Sequence, residues 1–232
     1  MRIKNILVVD DEPNNFSLMK QILAPEGYRL FFARDAQSAL KRLCEVSIDL
    51  VLLDIMMPVM DGYAVCSIMK DDPQLQLIPV IFVTAMSDLD DEKYGFDLGA
   101  VDYITKPVSP PILRARVKTH LSLVRAIEVE RTRDLIIQLL GRAAEFKDKN
   151  TGQHLIRMSL YSQIIARRFG LPVEEYELIL PAAKMHDIGK IGISDHVLTK
   201  PEELDEEEWK EILLHPQIGA DIIGDDSSWL LT

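Results

Sequence analysis

Four runs along the chain, IKNILVVD, LVLLDI, PVIFVTA and DYITKP, are apolar and rich in β-branched residues, and polar side chains mark their C-terminal ends. With YRLFFA they predict strands near 3–10, 28–33, 50–55, 79–85 and 102–106. Between them, stretches such as 14–24, 36–46 and 63–70 carry apolar residues at helical spacing. Strands that are apolar throughout are buried on both faces, the mark of a parallel sheet. Strands alternating with helices predict βαβ units. The expectation is an α/β, doubly wound, five-stranded parallel sheet of flavodoxin-like order 2-1-3-4-5, with its switch point beside the first and third strands.

After Pro107 the pattern changes. From 109 to 148 there is no convincing strand and no glycine before Gly141. Leu113, Val117, Val124, Ile127, Leu135, Leu139 and Arg142 make a ragged helical stripe. It predicts one long helix that could pair with a second copy, although the heptad is too irregular for a coiled coil. Residues 149–232 read as wholly helical. Thr151 caps a helix to Phe169 that Gly170 stops, a second helix covers about 173–185, and Asp205 with Glu208 opens another. The acidic run 202–208 is the solvated first turn of that helix. The expected organisation is therefore a first domain at 1–122, a connecting helix at 123–148 and an all-α domain at 149–232.

A net charge of −11 argues against broad binding to nucleic acid or anionic membrane. Cys44 and Cys66 stand apart in helical contexts and read as reduced core thiols, which fits a cytoplasmic protein. There is no signal-peptide pattern and no apolar run near the ~20 residues that span a bilayer.

The polar residues at the strand ends change the picture from fold to chemistry. A parallel sheet gathers the ends of its strands along one edge, and ligands bind there. Asp10, Asp11, Asp54, Thr84 and Lys106 would all meet at that edge. Carboxylates suit Mg²⁺, and a carboxylate beside the ion can attack phosphorus and become an aspartyl phosphate. Lys106 and the Thr84 hydroxyl can hold phosphoryl oxygens. Taken singly, each residue is more often a turn or packing residue; as a set on one edge they are not.

VVDDEP, LLDIMMPVMDGY, VTA and YITKP resemble the receiver domain of two-component response regulators. The resemblance covers about 1–122 and implies that Asp54 accepts a phosphoryl group from a sensor histidine kinase. It implies that Asp11, Asp54 and the Met56 carbonyl bind Mg²⁺ with help from Asp10. It implies that Thr84 and Tyr103 move together, altering the face made by the fourth helix, fifth strand and fifth helix. It also implies a cis Lys106–Pro107 bond.

Residues 149–232 hold four of the five histidines. His186-Asp187 ends an apolar run, His154 shares a helical face with Met158, Tyr161 and Ile165 and so would point inward, and His215 precedes Pro216. Imidazoles and a carboxylate converging between helices can bind Zn, Fe or Mn. An inward histidine is more often a hydrogen-bonded core residue, so His154 and His215 count mainly through the company of His186-Asp187. His120 reads as an exposed residue of the long helix and His196 as structural or near a pocket mouth.

TGQHLIRMSLYS, KMHDIGKIGISDHVLTKP and LLHPQIGADII resemble the HD-GYP subgroup of HD-domain phosphohydrolases. That resemblance implies hydrolysis of the phosphodiester of cyclic di-GMP at an Fe or Mn pair held by His154, His186, Asp187 and His215, with Lys190 at the substrate phosphate. The chain departs from the subgroup at Asn150, where some members have a metal-binding Glu. It also ends at Thr232, before the Gly-Tyr-Pro segment and a further Asp ligand, so the helical domain is expected to be partial. Two functions stand: a phosphorylation-gated cyclic di-GMP phosphodiesterase, or a non-catalytic signalling or dimerisation module with a degenerate HD region.

Overall fold

The structure is a computed structural model, and it describes residues 2–86, 88–147 and 152–224. The chain divides into two compact units, Met1–Glu128 and Val129–Thr232.

The first unit follows the predicted alternation: β1 (Asn5–Val9), α1 (Pro13–Leu23), β2 (Arg29–Ala33), α2 (Ala36–Glu45), β3 (Leu50–Leu53), α3 (Gly62–Asp71), β4 (Val80–Thr84), α4 (Leu89–Asp97) and β5 (Asp102–Thr105). All pairings are parallel, in the order β2-β1-β3-β4-β5. The helices start where the sequence supplies caps. Asp35 accepts from the Ser38 amide, Asp61 from Ala64 and Asp88 from Asp90, each satisfying an amide that the first helical turn leaves open.

Two cores cover the sheet. One face packs Leu7, Val51, Leu53 and Phe82 against α2 and α3 through Ala39, Leu43, Val65 and Met69. The other packs Ile6, Val8, Leu52 and Ile81 against Met19, Ile22 and Leu23 of α1 and against Leu113 and Val117 of the long helix. Alternate residues of each strand thus serve opposite layers, which explains the unbroken apolar runs. Cys66 lies in the first of these cores, but Cys44 is exposed, contrary to expectation. It sits beside buried Leu43 on α2, and the neighbouring position of an amphipathic helix faces about 100° away.

Val59, in the β3–α3 loop, has a φ of 71° and is fully exposed. A β-branched residue is strained there by roughly 1–2 kcal/mol. Replacing it by glycine is expected to raise stability by about 1 kcal/mol, read as a higher urea midpoint at unchanged slope. An unchanged or lower midpoint would remove the strain from this account.

The long helix α5 runs Pro110–Lys147. In the first unit its His120 is not the exposed residue expected. Its side chain is 15% exposed, with Nε2 3.0 Å from Asp102 Oδ2. Arg116 donates to the same carboxylate, so the start of β5 supplies the anion that holds this face of the helix.

In the second unit, α6 (Gly152–Arg168) is followed by α7 (Val173–Lys184), a 3₁₀ turn at Ile188–Gly192, α8 (Asp195–Leu198), α9 (Glu206–Leu213) and α10 (His215–Ile223). Gly170 takes φ +83° just past α6, as a left-handed stop requires. Asp205 and Glu208 form a complete capping box on α9. The expected cap at Thr151 lies outside the described residues.

Candidate functional site

The register of the sheet places the first site. Val9 pairs with Leu53, so Asp10 and Asp54 follow neighbouring strands at the same height; Thr84 pairs with Thr105, so Lys106 follows beside them. Asp10, Asp54 and Thr84 are buried, while Asp11 is exposed. Lys106 Nζ reaches Asp54 Oδ2 at 2.6 Å and Asp10 Oδ2 at 2.8 Å. Burial opposes the ammonium, but its hydrogen bonds to the two aspartates outweigh that and raise its pKa. It stays charged at any physiological pH.

Asp54 Oδ1 also accepts from the Met56 amide at 3.1 Å. Asp10 is held by the Glu12 amide at 2.9 Å and by Asn15 Nδ2 at 2.8 and 2.9 Å. Asn15 had no signal in the sequence beyond lying in the first turns of α1. Gly62 is required at the site, because a Cβ there would enter the space of the Asp54 carbonyl.

Asp10, Asp11 and Asp54 each present a ligand oxygen, all within 4.8 Å of one another. Three carboxylates against one ammonium leave two uncompensated charges, and hard oxygen donors of this kind fit a divalent cation such as Mg²⁺. Thr84 and Tyr103 converge on one peptide: Thr84 Oγ1 accepts from the Met86 amide at 3.4 Å, and the Tyr103 hydroxyl donates to the Met86 carbonyl at 3.1 Å. Burial pushes the Tyr103 phenol pKa up, so it remains a donor. The Lys106–Pro107 bond is cis, as expected.

The second site lies where α7 meets the 3₁₀ turn and α10. Asp187 Oδ2 is 2.8 Å from Lys190 Nζ and 3.2 Å from His186 Nε2; its Oδ1 is 3.7 Å from His215 Nε2. Burial works against the Asp187 carboxylate, but the hydrogen bonds from His186 and Lys190 win and hold its pKa far below the usual range. The carboxylate in turn raises the His186 pKa.

The outer ring nitrogens settle the tautomers. His186 Nδ1 is 2.9 Å from the Ala183 carbonyl and His215 Nδ1 is 2.8 Å from the Ile212 carbonyl. A carbonyl only accepts, so each Nδ1 carries the proton. Backbone-anchored imidazoles whose Nε2 atoms face a carboxylate are a usual arrangement of metal ligands; without a metal, a protonated His186 can donate Nε2–H to Asp187, the bond that raises its pKa. Imidazole nitrogens and a carboxylate oxygen suit a transition metal, although among the described residues the set of three ligands drawn within 4.8 Å of one another is that of Asp10, Asp11 and Asp54.

His154 is not brought into this set. It is exposed, and among the described residues no hydrogen bond or ion pair joins it to Asp187, His186 or His215. The expected inward face is also wrong: Tyr161 and Ile165 are 62% and 56% exposed, and the buried stripe of α6 is Leu155, Ser159 and Ala166. Gly141 explains the rotation. A Cβ there would strike the Lys184 carbonyl and Leu155, so α5, α6 and α7 meet closely around Leu155. His196 is exposed.

A five-stranded parallel sheet with acidic strand ends, followed by a helical unit with a histidine–aspartate centre, defines a two-part signalling architecture. Residues 6–118 match the response regulator receiver domain and residues 151–230 match the HD domain. A protein of Vibrio cholerae named as a probable cyclic di-GMP phosphodiesterase is 40% identical over 241 residues, which cover 92% of this chain and 54% of the relative. A Thermotoga maritima cyclic di-GMP phosphodiesterase is 30% identical over 254 residues, covering 97% of this chain and 67% of its own. The CheY-like response regulator receiver protein of Methanospirillum hungatei superposes with a TM-score of 0.51 at 30% identity, covering 54% of this chain and 98% of that one.

The chain belongs to the response regulators in which a receiver domain precedes an HD domain. It spans about half the length of the Vibrio relative.

Proposed function

We propose that Asp54 takes up a phosphoryl group from a sensor histidine kinase, and that this event controls a metal-dependent hydrolysis of cyclic di-GMP at the HD centre. The observation that carries the reading is the shared counter-ion of the receiver: Lys106 bridges buried Asp10 and Asp54 at the sheet edge. An Asp54 oxygen bonds to phosphorus while the donor's P–N bond breaks and the electron pair leaves with the imidazole. Lys106 can then pair with the new phosphoryl oxygens, and Thr84 can donate to one of them. Mg²⁺, bound by Asp11, Asp54 and the Met56 carbonyl with Asp10 nearby, supplies charge neutralisation. Such transfer rests on positioning and electrostatics. Thr84 and Tyr103 then shift together through the Met86 peptide they already share.

In the HD unit, His186, Asp187 and His215 would hold Fe or Mn. The metal supplies Lewis acidity at the phosphodiester when bound. Lys190 turns its ammonium to a phosphate oxygen. Water attacks phosphorus, the 3′ oxygen leaves with the electron pair of the broken bond, and the proton lost by the water passes to that oxygen. A pair of chains associating through the receiver face or through α5 would bring two such centres into one assembly; Leu135, Ile136 and Leu139 are exposed on that helix. No helix of the described residues is long and apolar enough to cross a membrane.

Hydrolysis of cyclic di-GMP by residues 1–232, and by a chain that continues past Thr232, tests the substrate, each with Mn²⁺ supplied. Asp187→Ala is expected to lower turnover at least about 100-fold. Absence of turnover from the longer chain would overturn the substrate assignment. A non-catalytic module is favoured by one observation, that Lys190 and His186 already satisfy Asp187; such a module would purify without stoichiometric transition metal.

A further inference from the structure

Glu145 stands out in the second unit. It is 2% exposed, and neither carboxylate oxygen has a hydrogen-bond partner. Among the described residues of this unit it is the one buried acidic side chain. Native proteins rarely leave a buried carboxylate unpaired, and each instance calls for a missing partner.

Its place on α5 shows where that partner would be. Gly141, one turn earlier on the same helical face, lies so close to the Lys184 carbonyl and Leu155 that a side chain could not fit. Lys147, two residues later, donates to the Ile191 and Ile193 carbonyls at 2.9 and 2.6 Å. The last turns of α5 are therefore fixed on both sides of the segment that carries His186, Asp187 and Lys190, and against the residue that follows His154. A divalent cation at that centre would bring positive charge, and among the described residues of this unit Glu145 is the one buried acid that could meet it.

We propose that Glu145 is a positioning residue of the HD centre, a buried anion that stabilises the divalent cation held by His186, Asp187 and His215. The inference rests on the metal reading of that centre. In the metal-free protein the carboxylate is a stability cost that bound cation relieves, the pattern expected of a functional site.

The test is Glu145→Gln in the full chain, in an Asp11→Asn background that weakens cation binding at the receiver. Mn²⁺ alone is titrated by calorimetry, and thermal unfolding is followed without metal. The expected result is a higher metal-free melting temperature together with about tenfold weaker Mn²⁺ binding. Mn²⁺ affinity within twofold of the parent would overturn the proposal, and so would a lower metal-free melting temperature, since that would show a satisfied carboxylate. His186→Ala separates the two levels: if it leaves Mn²⁺ binding intact, the metal reading itself fails, whereas binding lost in His186→Ala and kept in Glu145→Gln sinks only the role of Glu145.

Discussion

Gly189→Ala is expected to unfold the centre of the HD unit, costing about 3 kcal/mol and abolishing Mn²⁺ binding there. The φ of Gly189 is not in the left-handed region, so the cost is one of space. Its Cα faces α10 backbone to backbone. A Cβ would enter the His215 carbonyl and stand 2.6 Å from the Gly219 amide. Neither neighbour is a flexible side-chain tip; both are helical backbone. Relief requires α10 to move away from the 3₁₀ turn, and His215 moves with it. The 3.7 Å approach of His215 to Asp187 would then be lost while His186 stays adjacent in the chain. Thermal unfolding and Mn²⁺ calorimetry would both register the change. A variant that binds and melts like the parent would show that α10 is not seated as described.

Lys106→Ala is expected to destabilise the cation-free protein by about 3 kcal/mol, because it leaves buried Asp10 and Asp54 without their shared counter-ion. Asn15 and the backbone amides of Glu12 and Met56 remain, but they are dipoles and do not neutralise two charges. A divalent cation does. Mg²⁺ should therefore raise the melting temperature of Lys106→Ala by more than it raises that of the parent. Equal Mg²⁺ responses would mean that the lysine and the cation do not share the same carboxylates. Phosphoryl uptake should fall as well, since the ammonium that meets the phosphoryl oxygens is gone.

Much of the first unit is legible in the sequence because two periodicities agree there. Apolar runs with period-two layers fix the strands, and Asp10, Asp54 and Lys106 directly follow β1, β3 and β5, so the sheet register alone brings them together. What escaped was set by contacts without hydropathy. Asn15 matters through two hydrogen bonds, and Gly62 through the space beside Asp54. His120 is half of a pair whose other half, Asp102, lies on a strand.

The second unit is less legible for the same reason. His186-Asp187 announces itself by adjacency and His215 by its place before Pro216. The face of α6 does not. His154, Met158, Tyr161 and Ile165 make a good apolar stripe, yet the buried stripe runs through Leu155, Ser159 and Ala166, positioned by the missing side chain of Gly141. On α5 the usual rule is reversed outright: Phe146 is 88% exposed and its neighbour Glu145 is buried. No periodicity analysis finds a buried glutamate beside an exposed phenylalanine.

The most direct measurement is the site of phosphorylation itself. The folded chain is incubated with Mg²⁺ and acetyl phosphate, and the product is reduced with borohydride and mapped by peptide mass. The account predicts one modified residue, Asp54, and no modification in Asp54→Asn. A folded protein that stays unmodified, or that carries the phosphoryl group on another side chain, would contradict it.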